Sequence, residues 1–174
     1  MQLLFENEKF KWINLHHPSK IDLEKIATEY NFQKLTIEDS LEPGHLPKYE
    51  SDEQSTSFLL VRFFDKERYL LKSTVREFSH KISIYIGPNF IVTVHQKETD
   101  ILTNIVAKYL NSTPPEKVTP RTILYRIVSA SIKTYGESAY KMDQEIDQLE
   151  HLIFTDDFRK IRLQTLYKIK REAT

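Results

Sequence analysis

A mixed α/β fold (an α+β mixed sheet) is predicted by three observations in this sequence of 174 residues. Short apolar runs with strand chemistry recur between Leu3 and His95. Two short segments with helical spacing lie among them. From Tyr125 onward the apolar residues then fall at alternating spacings of three and four, which is a helical period and not a strand one.

The elements follow in order. Phe10-Lys11-Trp12-Ile13-Asn14-Leu15 reads as a strand, pairing with Leu3-Leu4-Phe5, and Pro18-Ser19 ends it. Ile21 to Ala27 opens a short amphipathic helix with Ile26 and Tyr30 on one face, and a second covers Leu35 to Leu41 before Pro43-Gly44. Phe58 to Phe64 alternates little, as expected of a strand covered on both faces. Val75 to Ile86 alternates better, with Ile82, Ile84 and Ile86 on one side and Ser83 and Tyr85 on the other. Gly87-Pro88-Asn89 turns the chain into Phe90–His95 as a hairpin. Ile101, Ile105 and Tyr109 mark a helix that Ser112-Thr113-Pro114-Pro115 breaks.

Tyr125, Val128, Ile132, Tyr135, Ala139, Met142, Ile146, Leu149 and Ile153 form a heptad seam. It predicts one long packing helix from about Thr119 to Phe154, bent if anywhere at Gly136. At 1.5 Å per residue such a helix spans roughly 50 Å, longer than a domain of this size requires. Thr155-Asp156-Asp157 caps a following helix, antiparallel to the first, that starts near Phe158. No stop signal precedes Thr174, so that helix is expected to continue into a longer one. The chain divides into residues 1–118, a mixed-sheet domain, and 119–174, the long helix and the start of the next.

Composition excludes several function classes. Cysteine is absent, which removes disulfides, thiolate nucleophiles and cysteine metal sites. Lys+Arg and Asp+Glu are both 25, so no global nucleic-acid footprint exists. The start, Met1-Gln2-Leu3-Leu4-Phe5-Glu6, lacks the basic and apolar regions of a signal peptide. The apolar runs fall far short of the ~20 residues that cross a bilayer, so the chain as given is expected to be soluble. Gly44, Gly87 and Gly136 are the only glycines, and none sits in a phosphate-binding loop. His16, His17, His45, His80, His95 and His151 contain no His-x-x-x-His pair, and no nucleophile–base constellation is visible. Enzymatic activity is not expected.

Acidic residues offer the remaining chemistry. Glu38-Asp39 lies near the end of a short helix, where carboxylates meet the unfavourable end of the dipole. They read either as a solvated helix end or as ligands of a hard cation, which takes one or two carboxylates and keeps much of its water. Asp143, Asp147, Glu150 and His151 form a polar stripe beside the seam that reads as a solvated face.

Four pieces in order add a resemblance: Trp12-Ile13-Asn14-Leu15, Ile37-Glu38-Asp39-Ser40-Leu41, Pro47-Lys48-Tyr49-Glu50 and Phe90-Ile91-Val92-Thr93-Val94-His95. Together with the acidic Met142 to Glu150, their order and intervals resemble the N-terminal cytoplasmic domain of CorA-type divalent-cation transporters. That resemblance implies a helix–sheet–helix sandwich followed by a long helical hairpin leading to a stalk helix. It implies regulatory metal sensing, with Mg2+ (or Co2+ or Zn2+) held weakly between subunits and Glu38 and Asp39 contributing to the site. It further implies a homopentamer at the cytoplasmic side of the plasma membrane, reached through helices beyond Thr174 that carry a Gly-Met-Asn loop. By itself the chain would then be monomeric or weakly associated, with Glu38 and Asp39 exposed. Departures are Ser129 where some members carry an acidic sensing residue, with Lys133 and Thr134 nearby, and Leu46 where Arg often precedes Pro-Lys. A soluble coiled-coil adaptor and a zinc transporter of the same superfamily are the alternative readings.

Overall fold

Among the described residues six strands, most of them rich in β-branched and aromatic residues, pair into one sheet. They are β1 (Gln2–Glu6), β2 (Lys11–His16), β3 (Lys48–Ser51), β4 (Ser57–Phe64), β5 (Ser79–Gly87) and β6 (Phe90–His95). The computed structural model describes residues 1–51, 56–65 and 77–154, together with Tyr167 and Lys170. Val75 and Arg76, and the helix expected from Phe158, therefore lie outside the described residues, apart from Tyr167 and Lys170, both helical.

The strand order is β1-β2-β6-β5-β4-β3. Only β2 and β6 run parallel, with Trp12 opposite Ile91 and His16 opposite His95; the other neighbours are antiparallel. Parallel pairing requires a crossover, and the chain from β2 to β6 supplies one. The hairpin between β5 and β6 forms as expected, with Gly87 opposite Phe90. A Cβ at Gly87 would stand 2.3 Å from the Phe90 ring, so glycine is needed there for close approach.

The helices are α1 (Lys20–Tyr30), α2 (Lys34–Leu41), α3 (Asp100–Lys108), α4 (Pro120–Lys133) and α5 (Gly136–Phe154). Ser19 caps α1 in a reciprocal box with Asp22, and Asn31 ends it in the left-handed region at φ 55. Thr99 caps α3, and Thr119 caps α4.

These helices cover both faces of the sheet. On one side Leu23, Ile26, Phe32 and Ile37 pack on Ile13, Leu15, Phe58, Leu60, Tyr85 and Val92. On the other, Ile101, Leu102, Ile105, Ile123 and Ile127 pack on Trp12, Phe63, Ile82, Ile84 and Ile91. The result is the expected helix–sheet–helix sandwich. Inside the second layer Trp12 Nε1 donates to Thr93 Oγ1 (3.1 Å), which in turn donates to Asn14 Oδ1 (2.8 Å). The indole N–H is thereby satisfied within an apolar core.

The long helix departs from expectation in two ways. It is interrupted at Thr134-Tyr135, just before the Gly136 where a bend was expected. Thr134 Oγ1 donates to the Ser131 carbonyl (2.6 Å) and accepts the Phe64 amide (2.8 Å), while Tyr135 packs its ring on Phe64. The end of β4 thus captures the helix where it breaks. The seam is also out of phase over α4: Tyr125 is 73% exposed and Ile132 65%, whereas Ile123 and Ile127 are fully buried. Two residues at 100° each put Tyr125 about 200° from Ile123, on the opposite side. The sheet selected the Ile123–Ile127–Ser131 stripe, and the seam faces outward. No residue of α5 is buried.

Candidate functional site: the carboxyl end of α2

Helix α2 presents Thr36, Ile37 and Ser40 to the sheet, which seats it on Tyr85. Tyr85 Oη donates to the Thr36 carbonyl (2.7 Å) and takes a hydrogen bond from Ser40 Oγ (2.7 Å). Its ring stacks on Phe32 with centroids 3.7 Å apart. Burial pushes the phenol up to about 12, so it stays a neutral donor at physiological pH.

This anchoring fixes where the two acidic residues go. Successive residues on a helix point about 100° apart, so Glu38 and Asp39 cannot share a face. Glu38 is exposed; Asp39 is only 9% exposed and turns inward. The expectation that both are exposed is therefore corrected for Asp39. The physical reason is the return of the chain after Pro43-Gly44. It brings Lys48 of β3 onto Asp39 Oδ2 and His45 Nε2 to 3.2 Å from Asp39 Oδ1. Lys48 is shared with Glu50 Oε1 at 2.7 Å, and these two carboxylate contacts raise its pKa. His45 also reaches Glu42 Oε2 at 3.1 Å.

Two further cations lie beneath. Lys81 of β5 donates its ammonium to the Asp39 and Glu42 carbonyls, two of the acceptors that the end of α2 leaves open. Burial, and then the neighbouring Arg62, bring its pKa down to about 8. Arg62 of β4 donates Nη1 to the Pro43 (3.1 Å) and His45 (2.8 Å) carbonyls. Its Nε and Nη2 hold Ser79 Oγ and the Ser79 carbonyl, each at 2.7 Å. Sequence reasoning missed both cations. The available signal was Arg62 inside the apolar run of β4 and Lys81 directly before Ile82 in β5.

Can these residues hold a hard cation? Both Asp39 oxygens are engaged by cationic or potentially cationic side chains, and Glu38 points elsewhere. Among the described residues no group of three or more His, Cys, Asp or Glu is arranged around a metal. Within one chain Asp39 holds the turn between α2 and β3, while Glu38 faces outward. Ser129 lies half-buried on α4, and Thr134 makes the helix-ending contacts given above. Among the described residues no helix is long and apolar enough to cross a membrane.

Comparison with known proteins gives this architecture a family. Residues 7–174 match the family described as CorA-like Mg2+ transporter protein. A curated protein of Bacillus subtilis (strain 168) named as a metal ion transporter, YfjQ, is 22% identical over 139 residues, which is 80% of this chain and 41% of YfjQ. The complete structure of the CorA magnesium transporter from Methanocaldococcus jannaschii superposes with TM-score 0.58 at 18% identity, over 94% of this chain and 49% of that one. The ZntB cytoplasmic domain from Vibrio parahaemolyticus RIMD 2210633 superposes with TM-score 0.61 at 10% identity, over 95% of this chain and 65% of that one. The chain thus spans less than half the length of YfjQ and of the CorA structure. At such identities the structural likeness shows the fold, and the sequence match carries the relationship: the chain belongs to the CorA-like Mg2+ transporter family, a family of transporters and not of enzymes.

Proposed function

We propose that this chain is the cytoplasmic regulatory domain of a divalent-cation transporter, working in a homopentamer whose membrane helices lie outside these residues. The family match over residues 7–174 carries the reading, and the sandwich shared with the CorA and ZntB structures supports it. In this reading the working unit extends through α4 and does not end at residue 118, because Ile123 and Ile127 complete the core. Helix α5, none of whose residues is fully buried, follows it.

Metal sensing is proposed at Glu38 in the first instance. Its exposed carboxylate would face a neighbouring subunit, and a dication between the two would relieve the repulsion of like charges. Asp39 would position the turn that carries it. Mg2+, the ion in the family's description, is the proposed ion, and Zn2+ is the second reading. Limited proteolysis of the full-length protein, titrated with Mg2+, Co2+ and Zn2+, tests this. Protection at millimolar Mg2+ that Glu38→Gln weakens would uphold it. Protection by Zn2+ alone would favour the second reading, and metal-independent digestion would refute sensing.

A further inference from the structure

The sheet face opposite α2 carries a cleft with chemistry of a different sign. It opens between α3 and α4 beside the end of β6, an open groove of about 1150 Å3. Lys97, Lys108, Arg126 and Lys133 line it. Among the described residues none of these four makes an ion pair, and none has a further interaction with a carboxylate. Three carboxylates also line the cleft. Asp65 is bonded to His80 at 2.7 Å, and Asp100 sits in the first turn of α3 where the dipole favours it. With Glu98 as the third, positive charge is in excess in a chain whose net charge is zero.

Arg126 is already oriented. Its guanidinium lies 3.6 Å from the centre of the Tyr109 ring, a contact that occupies one face and leaves the N–H edge open. An open guanidinium edge matches an oxyanion bidentately, and a stacked one loses less entropy on binding. Tyr125 lines the same cleft with its ring 73% exposed, a surface on which a flat group can stack.

We propose that the α3–α4 cleft binds a phosphate-bearing anion, gripped by Arg126 and neutralised by Lys97, Lys108 and Lys133. This is independent of the metal reading: the residues are on the other face of the sheet, and the ligand is an anion. The site includes Ser129 and Lys133, so a ligand there would touch the helix that leads into α5.

Calorimetric titration of this chain with pyrophosphate and with metal-free ATP, against NaCl at matched ionic strength, tests the proposal. Saturable binding of pyrophosphate is expected, weakened roughly tenfold or more by Arg126→Ala, as for loss of a charge-assisted bidentate contact. Lys133→Gln should weaken it less, and Lys20→Gln on α1 should change nothing. If ATP binds more tightly than pyrophosphate and Tyr125→Ala abolishes the difference, the ligand is a nucleotide; equal affinities indicate that phosphate alone is recognised. Should Arg126→Ala fail to fold by circular dichroism, Lys133→Gln and Lys108→Gln carry the same test. Heats matched by NaCl, or affinities untouched by these variants, would overturn the proposal. So would self-association of the chain that the same variants abolish while no phosphate binds.

Discussion

The two helix layers of this domain use charge in opposite ways. Under α2, Asp39, Lys48, Lys81 and Arg62 are drawn inward and spend their hydrogen bonds on one another and on the carbonyls of residues 39–45. Between α3 and α4 the cations stay on the wall of a cleft with no acidic partner among the described residues. Charges already committed to the fold build structure; charges left unpaired in a concavity are available to a ligand. An acidic pair in a sequence does not reveal which case it belongs to.

Arg62 should carry the greatest loss. Arg62→Ala leaves the Pro43, His45 and Ser79 carbonyls without their buried donor, and a loss of about 3–4 kcal/mol is expected in urea unfolding. Arg126→Ala, across the sheet, should cost well under about 1 kcal/mol, since its charge is exposed. Equal losses would erase the contrast.

Histidine sharpens it with a smaller effect. His95 donates Nδ1–H to the Lys97 carbonyl (2.7 Å), which leaves Nε2 as a bare acceptor, buried without a partner among the described residues. Burial lowers its pKa from 6.5. A lowered histidine pKa means that the unfolded chain binds the proton better. Stability should therefore fall as pH drops below about 6.5 and level off below the folded value. Denaturation midpoints between pH 7.5 and 5 should show this slope, and His95→Gln should flatten it; an unchanged slope would assign the pH dependence elsewhere. The smallest effect belongs to Glu38. Glu38→Gln should move stability by no more than about 0.5 kcal/mol, because the residue is exposed and makes no ion pair among the described residues.

Most of the fold was legible because its signals are local. Ile26 and Tyr30 on one face announce α1, Gly87-Pro88-Asn89 announces the hairpin, and the alternation of Ile82 and Ile84 with Ser83 and Tyr85 sorts the two faces of β5. Strand β3 was not foreseen. Lys48-Tyr49-Glu50-Ser51 has no apolar alternation, and only its pairing with β4 makes it an edge strand. Over α4 the heptad seam outscored the true core stripe because the seam stays apolar through Tyr125, Val128, Ile132 and Tyr135, whereas the Ile123–Ile127 stripe ends in the polar Ser131. Tertiary packing, which periodicity does not contain, selected the other side.

The candidate site was half legible. Glu38-Asp39 pointed to the right place in the chain, but the fate of Asp39 depends on residues far along it. Lys48 is nine positions on, and Lys81 reaches the Asp39 carbonyl from a separation of 42. No spacing rule links them, because the sheet and not the helix brings them together.

Asp39 is buried within its own chain and held there by Lys48. A double-mutant cycle of Asp39→Ala and Lys48→Met, read by urea unfolding with and without millimolar Mg2+, tests it most directly. Asp39→Ala should cost about 2–3 kcal/mol, the pair should couple by about 1–2 kcal/mol, and Mg2+ should change neither value. Additive, small losses together with an Mg2+ stabilisation that Asp39→Ala abolishes would contradict it.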